Sequence, residues 1–167
     1  MFREMRRRKQ LLPEEKSVSI LERMTSGVLA VMGDNGYPYA VPLSYVYCDG
    51  KLYFHSAKTG HKIEAVMRNE KVSFCVIEQD NVVPEEYTTY FRSVIVFGKA
   101  RILTDDKEKR KAMEILAEKY SPSQQEGRLQ EIEKSFKHFF MIELLVESMT
   151  GKEAIERVRK VEQGNKY

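Results

Sequence analysis

Short apolar runs alternating with polar residues and punctuated by turn residues fill the first two thirds of the chain, a pattern that predicts a mainly β protein. Gly27 to Met32 (GVLAVM) is the first run, and Asp34-Asn35-Gly36 is a hairpin turn leading into a strand over Tyr37 to Tyr47. Asp49-Gly50 tolerates the positive φ angles of a tight two-residue turn, so Lys51 to Ser56 returns antiparallel to that strand. The period then changes. Ile63, Val66 and Met67 recur at i, i+3 and i+4, predicting a helix from about Gly60 to Arg68, with Asn69 as its stop before a strand over Lys71 to Glu78. Gln79 to Glu86 reads as a polar loop. Tyr87 to Leu103 (YTTYFRSVIVFGKARIL) is too long for one flat strand, and Gly98 predicts a bulge within it.

Helices are expected at the margins. Leu12-Pro13-Glu14-Glu15 opens one with proline and acids in its first turn, a buried stripe of Val18, Leu21 and Met24, and an end near Thr25 to Gly27. Thr104 is the expected cap of another from Asp105, with Ile115, Leu116 and Tyr120 near its end, and Ser121-Pro122-Ser123 breaks it. A short charged helix around Gly127 to Lys134 precedes an apolar strand over Phe136 to Val146, after which Thr150-Gly151-Lys152 reads as a turn. Strands joined mostly by hairpins predict an antiparallel barrel with peripheral helices rather than a doubly wound sheet.

Composition narrows the class. A chain of 167 residues with 42% hydrophobic and 32% charged residues suits one ordinary globular domain. No apolar run approaches the roughly 20 residues a membrane helix needs. The start, MFREMRRRKQ, has no apolar stretch behind its bases, so no secretory signal and a cytoplasmic location are expected. Residues 1–10 carry five bases and one acid, a net +4, against +3 for the whole chain, so everything after Gln10 is close to neutral. The basicity belongs to an N-terminal arm, residues 1–12, ahead of a domain over 13–153 and a charged tail over 154–167. With no aromatic interleaving and no recognisable module, that arm implies neither a nucleic-acid nor a membrane partner. Cys48 and Cys75 make no CxxC pair, and no metal site is expected from them and the histidines.

Candidate chemistry gathers on Val41 to Lys62 (VPLSYVYCDGKLYFHSAKTGHK). Its second strand ends in His55, Ser56, Lys58, Thr59, Gly60, His61 and Lys62 at a helix start, where free N–H groups, an ammonium and a hydroxyl favour an anion. Lys62 taken alone is equally an exposed helix lysine. Pro42 removes one ladder donor, which restricts its strand to an edge or a bulge. His55 alternates with Phe54 across the strand, so it is either a structural or exposed histidine, or a cleft histidine able to donate a proton at neutral pH, and it is the one candidate catalytic side chain. Tyr37, Tyr39, Tyr45, Tyr47 and Tyr53 have the period-two spacing of barrel wall or interface.

Three motifs together carry a resemblance: Val41-Pro42-Leu43-Ser44-Tyr45; Phe54-His55-Ser56-Ala57 followed by Gly60 and Lys62; and Arg92-Ser93-Val94 before Gly98. From about Ser26 to Leu103, with an echo at Phe140 to Glu153, the chain resembles the FMN-binding split-barrel flavoproteins related to pyridoxamine 5′-phosphate oxidase, in the branch of the nitroimidazole resistance (Nim) proteins. The resemblance implies a six-stranded antiparallel split β-barrel forming a homodimer with two FMN molecules in clefts between protomers. It places Val41 to Tyr45 beside the flavin ring, Phe54 to Ala57 and Lys62 near the phosphate and ribityl chain, and Arg92, Ser93 and Val94 on the dimer-facing side. It also implies FMN-dependent reduction of a small organic, nitroaromatic-type acceptor; the alternative on the same barrel is a non-catalytic carrier of flavin, haem or deazaflavin. There is no Trp, and no counterpart of the C-terminal Arg and His motif that binds substrate in true pyridoxamine 5′-phosphate oxidases, so the resemblance does not extend to that substrate.

Overall fold

The structure, a computed structural model, describes residues 1–164, with side chains to Arg159. The elements in order are α1 (Glu14–Arg23), β1 (Ser26–Met32), β2 (Pro38–Ser44), β3 (Val46–Cys48), β4 (Lys51–Ala57), α2 (His61–Arg68), β5 (Lys71–Val83), β6 (Thr88–Ile102), α3 (Asp106–Tyr120), α4 (Gln125–Ser135), β7 (Phe139–Glu153) and α5 (Ile155–Gly164). Of the expected charged tail, residues 165–167 lie outside the described residues, and the part before them contains α5. Among the described residues no helix is long and apolar enough to cross a membrane.

All strand pairs are antiparallel, in the order β2-β1-β5-β6-β7-β4-β3. The expected six strands are therefore seven, because the run expected as one strand from Tyr37 to Tyr47 breaks at Tyr45 into β2 and β3. That break shapes the molecule. The two outermost strands of the sheet are joined through the single residue Tyr45, so the sheet must curl until its edges meet at one corner, and it remains unclosed elsewhere. Inside the curl lie Leu29, Tyr45, Leu52, Phe54, Phe74, Val76, Val94, Val96, Ile142 and Leu144, all fully buried. The helix α1 packs Ile20 and Leu21 against this core, and α2 packs Ile63, Ala65 and Val66 against it.

Other departures from the sequence expectations have local causes. The β5 strand runs past Glu78 to Val83, since Asp80 to Val83 pair with Thr88 to Phe91 beyond a register shift at Ile77/Gln79. Thr150-Gly151-Lys152 is strand, not turn: it pairs with Ser93 to Ile95 on one side, and the Leu12 N–H donates to Gly151 O on the other. Glycine is required at 151 for space, because a Cβ there would sit 2.2 Å from Ser17 Oγ of α1. Asp105, not Thr104, caps α3, its Oδ1 accepting from the N–H groups of Lys107 and Glu108. The expected bulge at Gly98 is present as a register shift between Phe97 and Gly98.

The end of the basic arm is anchored. Gln10 is buried and its Nε2 donates to Glu153 O, while Leu11 bridges to Lys152. Further up the arm, the Phe2 ring stacks on Phe97 of β6.

Candidate functional site

The segment Val41 to Lys62 supplies two different surfaces. On β2, Val41 and Leu43 turn inward against the core, while Pro42 and Ser44 are exposed on the outer face. Because β2 ends the strand order, the edge away from β1 has no partner strand, which is where a proline without an N–H is tolerated. Tyr45 closes the corner. Its ring is fully buried edge-on to Phe74, with centroids 4.9 Å apart, and burial pushes its phenol well above the usual tyrosine range.

The corner is held by the last turn of α3. A residue between two strands has no ladder to satisfy its backbone. Here the Tyr45 N–H donates to the Tyr120 hydroxyl at 3.0 Å, and the Tyr120 hydroxyl lies within donating distance of both Tyr45 O (3.0 Å) and Thr25 O. Beside it, the Lys119 ammonium sits 4.4 Å from the Tyr45 ring centroid and donates to Met24 O. Burial pushes that ammonium below the usual lysine range.

On β4 the alternation separates the predicted residues. Phe54 is in the core, His55 and Ala57 point outward, and Ser56 points inward, only 3% exposed, with its Oγ lacking a hydrogen-bond partner. An orphaned buried hydroxyl costs roughly 1–3 kcal/mol unless something not yet counted meets it. Four residues on, Gly60 has φ +117°, a conformation that side chains rarely adopt, and it offers no capping side chain to α2. Its carbonyl accepts from the N–H groups of Ile63 and Glu64, leaving those of His61 and Lys62 at the helix start without a backbone acceptor among the described residues.

The neighbouring cations are not equivalent. His61 stacks on Tyr39 at 4.1 Å, its Nε2 3.5 Å from Asp34 Oδ2, within ion-pair reach but outside hydrogen-bond geometry. Lys58 Nζ lies 5.7 Å from the Phe140 ring centroid. Lys62 is half-buried and has no ion pair among the described residues.

Arg92, Ser93 and Val94 stand apart from this cluster, on β6. Val94 is core; Ser93 faces outward; and the Arg92 guanidinium donates to Glu153 Oε2 at 2.9 Å and Glu78 Oε2 at 3.2 Å. Within one chain Arg92 therefore ties β6 to β5 and β7.

Sequence reasoning missed a cavity of about 630 Å³ between α3, α4 and the outer faces of β4 and β7. Ser44 and His55 line it from the predicted segment; Met113, Leu116, Ala117 and Tyr120 line it from α3; and Arg128 and Ile132 line it from α4. Phe139 and Met141 of β7 complete its floor, with Phe139 edge-on to His55. The only trace in the sequence is the helical spacing of Met113, Leu116 and Tyr120, which marks a buried stripe and not a void. Among the described residues no group of three His, Cys, Asp or Glu is placed to hold a metal ion.

Comparison with known proteins agrees with this architecture. A family model described as pyridoxamine 5′-phosphate oxidase matches residues 13–153. No match is found among curated proteins. Among solved structures, the chain is similar to a candidate 5-nitroimidazole antibiotic resistance protein from Bacteroides thetaiotaomicron, with 25% identity, 86% of each chain covered and a TM-score of 0.70. An FAD-binding protein from Mesorhizobium loti shares 26% identity over 87% of this chain and 97% of its own, with a TM-score of 0.60. A flavocytochrome from Azotobacter vinelandii shares the fold at 19% identity, covering 90% of this chain and 72% of its own, with a TM-score of 0.74. The curled antiparallel sheet and the match across nearly the whole described domain lead to one conclusion: the chain belongs to the pyridoxamine 5′-phosphate oxidase family.

Proposed function

We propose that this protein is an FMN-binding flavoprotein that reduces a small organic acceptor, a nitroaromatic compound being one such acceptor. The observation that carries the reading is the buried, partnerless Ser56 Oγ shortly before the uncapped start of α2. A phosphate dianion meets both needs at once, with the N–H groups of His61 and Lys62 and the Lys62 ammonium as donors. The unpaired edge of β2 at Val41 to Tyr45 suits the hydrogen-bonding rim of a flat ring. Similarity to a flavin-binding protein and to a candidate nitroimidazole resistance protein supports this assignment. Bound FMN would supply reversible two-electron chemistry. The chain's own residues would hold the phosphate at α2, orient the ring along β2, and present His55 as the side chain able to donate a proton on the outer face of β4.

The second expected surface is the homodimer contact. Outward residues of adjacent strands line up as Pro42, Val28, Cys75 and Ile95, with Phe97 beside them, and no helix covers them. Ile95 and Phe97 are 41% and 43% exposed. We place a second copy of the chain on this face, which includes Ser93, whereas Arg92 has the parity of Val94 and points to the other side of β6.

The test is the visible spectrum of the purified protein, with the released chromophore identified by mass. Flavin absorbance and an FMN mass are expected. A haem band or a deazaflavin mass would replace the cofactor, and a colourless protein that takes up no added FMN would contradict the reading.

A further inference from the structure

We propose that the cavity beneath α3 and α4 is the acceptor pocket, and that it takes a small, uncharged, planar aromatic molecule. The inference rests on the flavin reading above and adds where, and by which residues, the second substrate is held. Its volume of about 630 Å³ falls within the range of small-molecule sites.

The lining sets the ligand class. Met113, Leu116, Ile132, Phe139 and Met141 form an apolar body in which two thioethers and a phenyl ring provide soft, polarizable surface for a flat ring. Charge is balanced and partly spent. Arg128 donates through Nη1 to Ser121 O at 2.8 Å and Pro122 O at 3.0 Å, and the carboxylate of Glu131 also lines the cavity. A net ionic ligand meets one charge of each sign there. The Tyr120 hydroxyl is already engaged by the Tyr45 corner, while Ser44, His55 and Gln124 are among the polar groups that face the ring's substituents.

The position argues for an acceptor and not for an unrelated ligand. Ser44 and His55 both line the cavity, one from the end of β2 and one from β4, so an occupant lies against the two strands assigned to the flavin. Tyr120 forms a cavity wall and at the same time fixes the residue between β2 and β3, so the pocket and the ring edge share one support.

Ala117→Trp fills the cavity from a half-buried position, with Ala117→Leu as the milder form should the larger side chain impair folding. The probe is 1,4-naphthoquinone, which takes two electrons and two protons to become the hydroquinone as dithionite-reduced protein returns to its oxidised form. Its non-reducible analogue 2-naphthol reports binding by ligand-observed NMR without turnover. At least a ten-fold loss of 2-naphthol affinity is expected, with a matching rise in the naphthoquinone concentration that half-saturates reoxidation and FMN affinity within two-fold of wild type. Unchanged 2-naphthol affinity in both variants, or an unchanged half-saturating naphthoquinone concentration with FMN still bound, would overturn the proposal. Failure of the flavin reading looks different: wild-type protein would take up no FMN, while 2-naphthol binding and its loss in the variants would still identify the pocket.

Discussion

The outer face of the sheet is two surfaces with opposite treatment. Over β4, the first half of β7 and the end of β6, the α3–α4 hairpin covers it, building a second core from Leu103, Ala112, Met113, Ile132 and Met141. Over β1, β5 and the first half of β6 no helix covers it, Phe2 of the arm alone stacking on Phe97 among the described residues, and Val28, Ile77, Ile95 and Phe97 are exposed. The covered half also carries charge in a satisfied form: Glu143, only 5% exposed, accepts from Lys51 at 2.8 Å and Arg101 at 2.7 Å. The bare half presents mainly apolar and small side chains. Apolar residues under a helix belong to the chain's own stability, whereas a contiguous apolar row left exposed on a sheet is a candidate contact surface, here the one proposed for a second copy of the chain.

Substitutions should separate the two halves. The largest effect is expected from Ile95→Lys, which puts a charge in the middle of the bare face: the dimer dissociation constant should rise at least about 100-fold, roughly 3 kcal/mol, without lowering monomer stability. Light scattering after size exclusion, with a thermal melt, reads both quantities. Met141→Ala on the covered half should do the reverse, costing about 2–4 kcal/mol in urea unfolding and leaving the oligomer unchanged, because Met141 is fully buried.

Smaller effects test the joints. Tyr120→Phe removes the hydroxyl that the Tyr45 backbone uses, an expected loss of about 1–2 kcal/mol accompanied by weaker FMN binding. The smallest is pH-dependent. Burial alone would raise the Glu143 carboxyl, but hydrogen bonds from Lys51 and Arg101 and their charges outweigh it and hold it below the ordinary value of 4.5. A depressed native carboxyl stabilises fully above that ordinary value and loses its contribution as pH falls through the native one. Since Lys51 and Arg101 are 36% and 50% exposed, the contribution is discounted to about 1 kcal/mol. Urea midpoints of wild type and Glu143→Gln should differ near neutrality and converge in acid.

The sequence showed features set by local chemistry. Asp49-Gly50 forms its turn with φ of 48° and 75°, Asn35 and Gly36 likewise adopt positive φ, and Pro42 sits on an edge strand. Features set by distant partners were hidden. Tyr45 breaks a strand because Tyr120, far along the chain, satisfies its backbone. Gly151 imitates a turn glycine but is small to admit Ser17. Asp80 to Val83 look like loop because both faces of that ribbon are open to water, although the β6 ladder holds them extended. The segment Val41 to Lys62 was legible as chemistry, since hydroxyl, glycine and lysine spacing survives without a fold. The cavity was not, because Ser44, His55 and Ala117 become neighbours only when α3 folds onto the sheet.

The most direct measurement is FMN affinity of wild type and Lys62→Ala, by quenching of flavin fluorescence, with a thermal melt of each. The account predicts about one FMN per chain, an affinity lowered ten-fold or more by the substitution, on the order of 1.4 kcal/mol or above, and an unchanged melting temperature. Equal FMN affinity in the two proteins would remove Lys62 and the α2 start from the phosphate site and contradict the account.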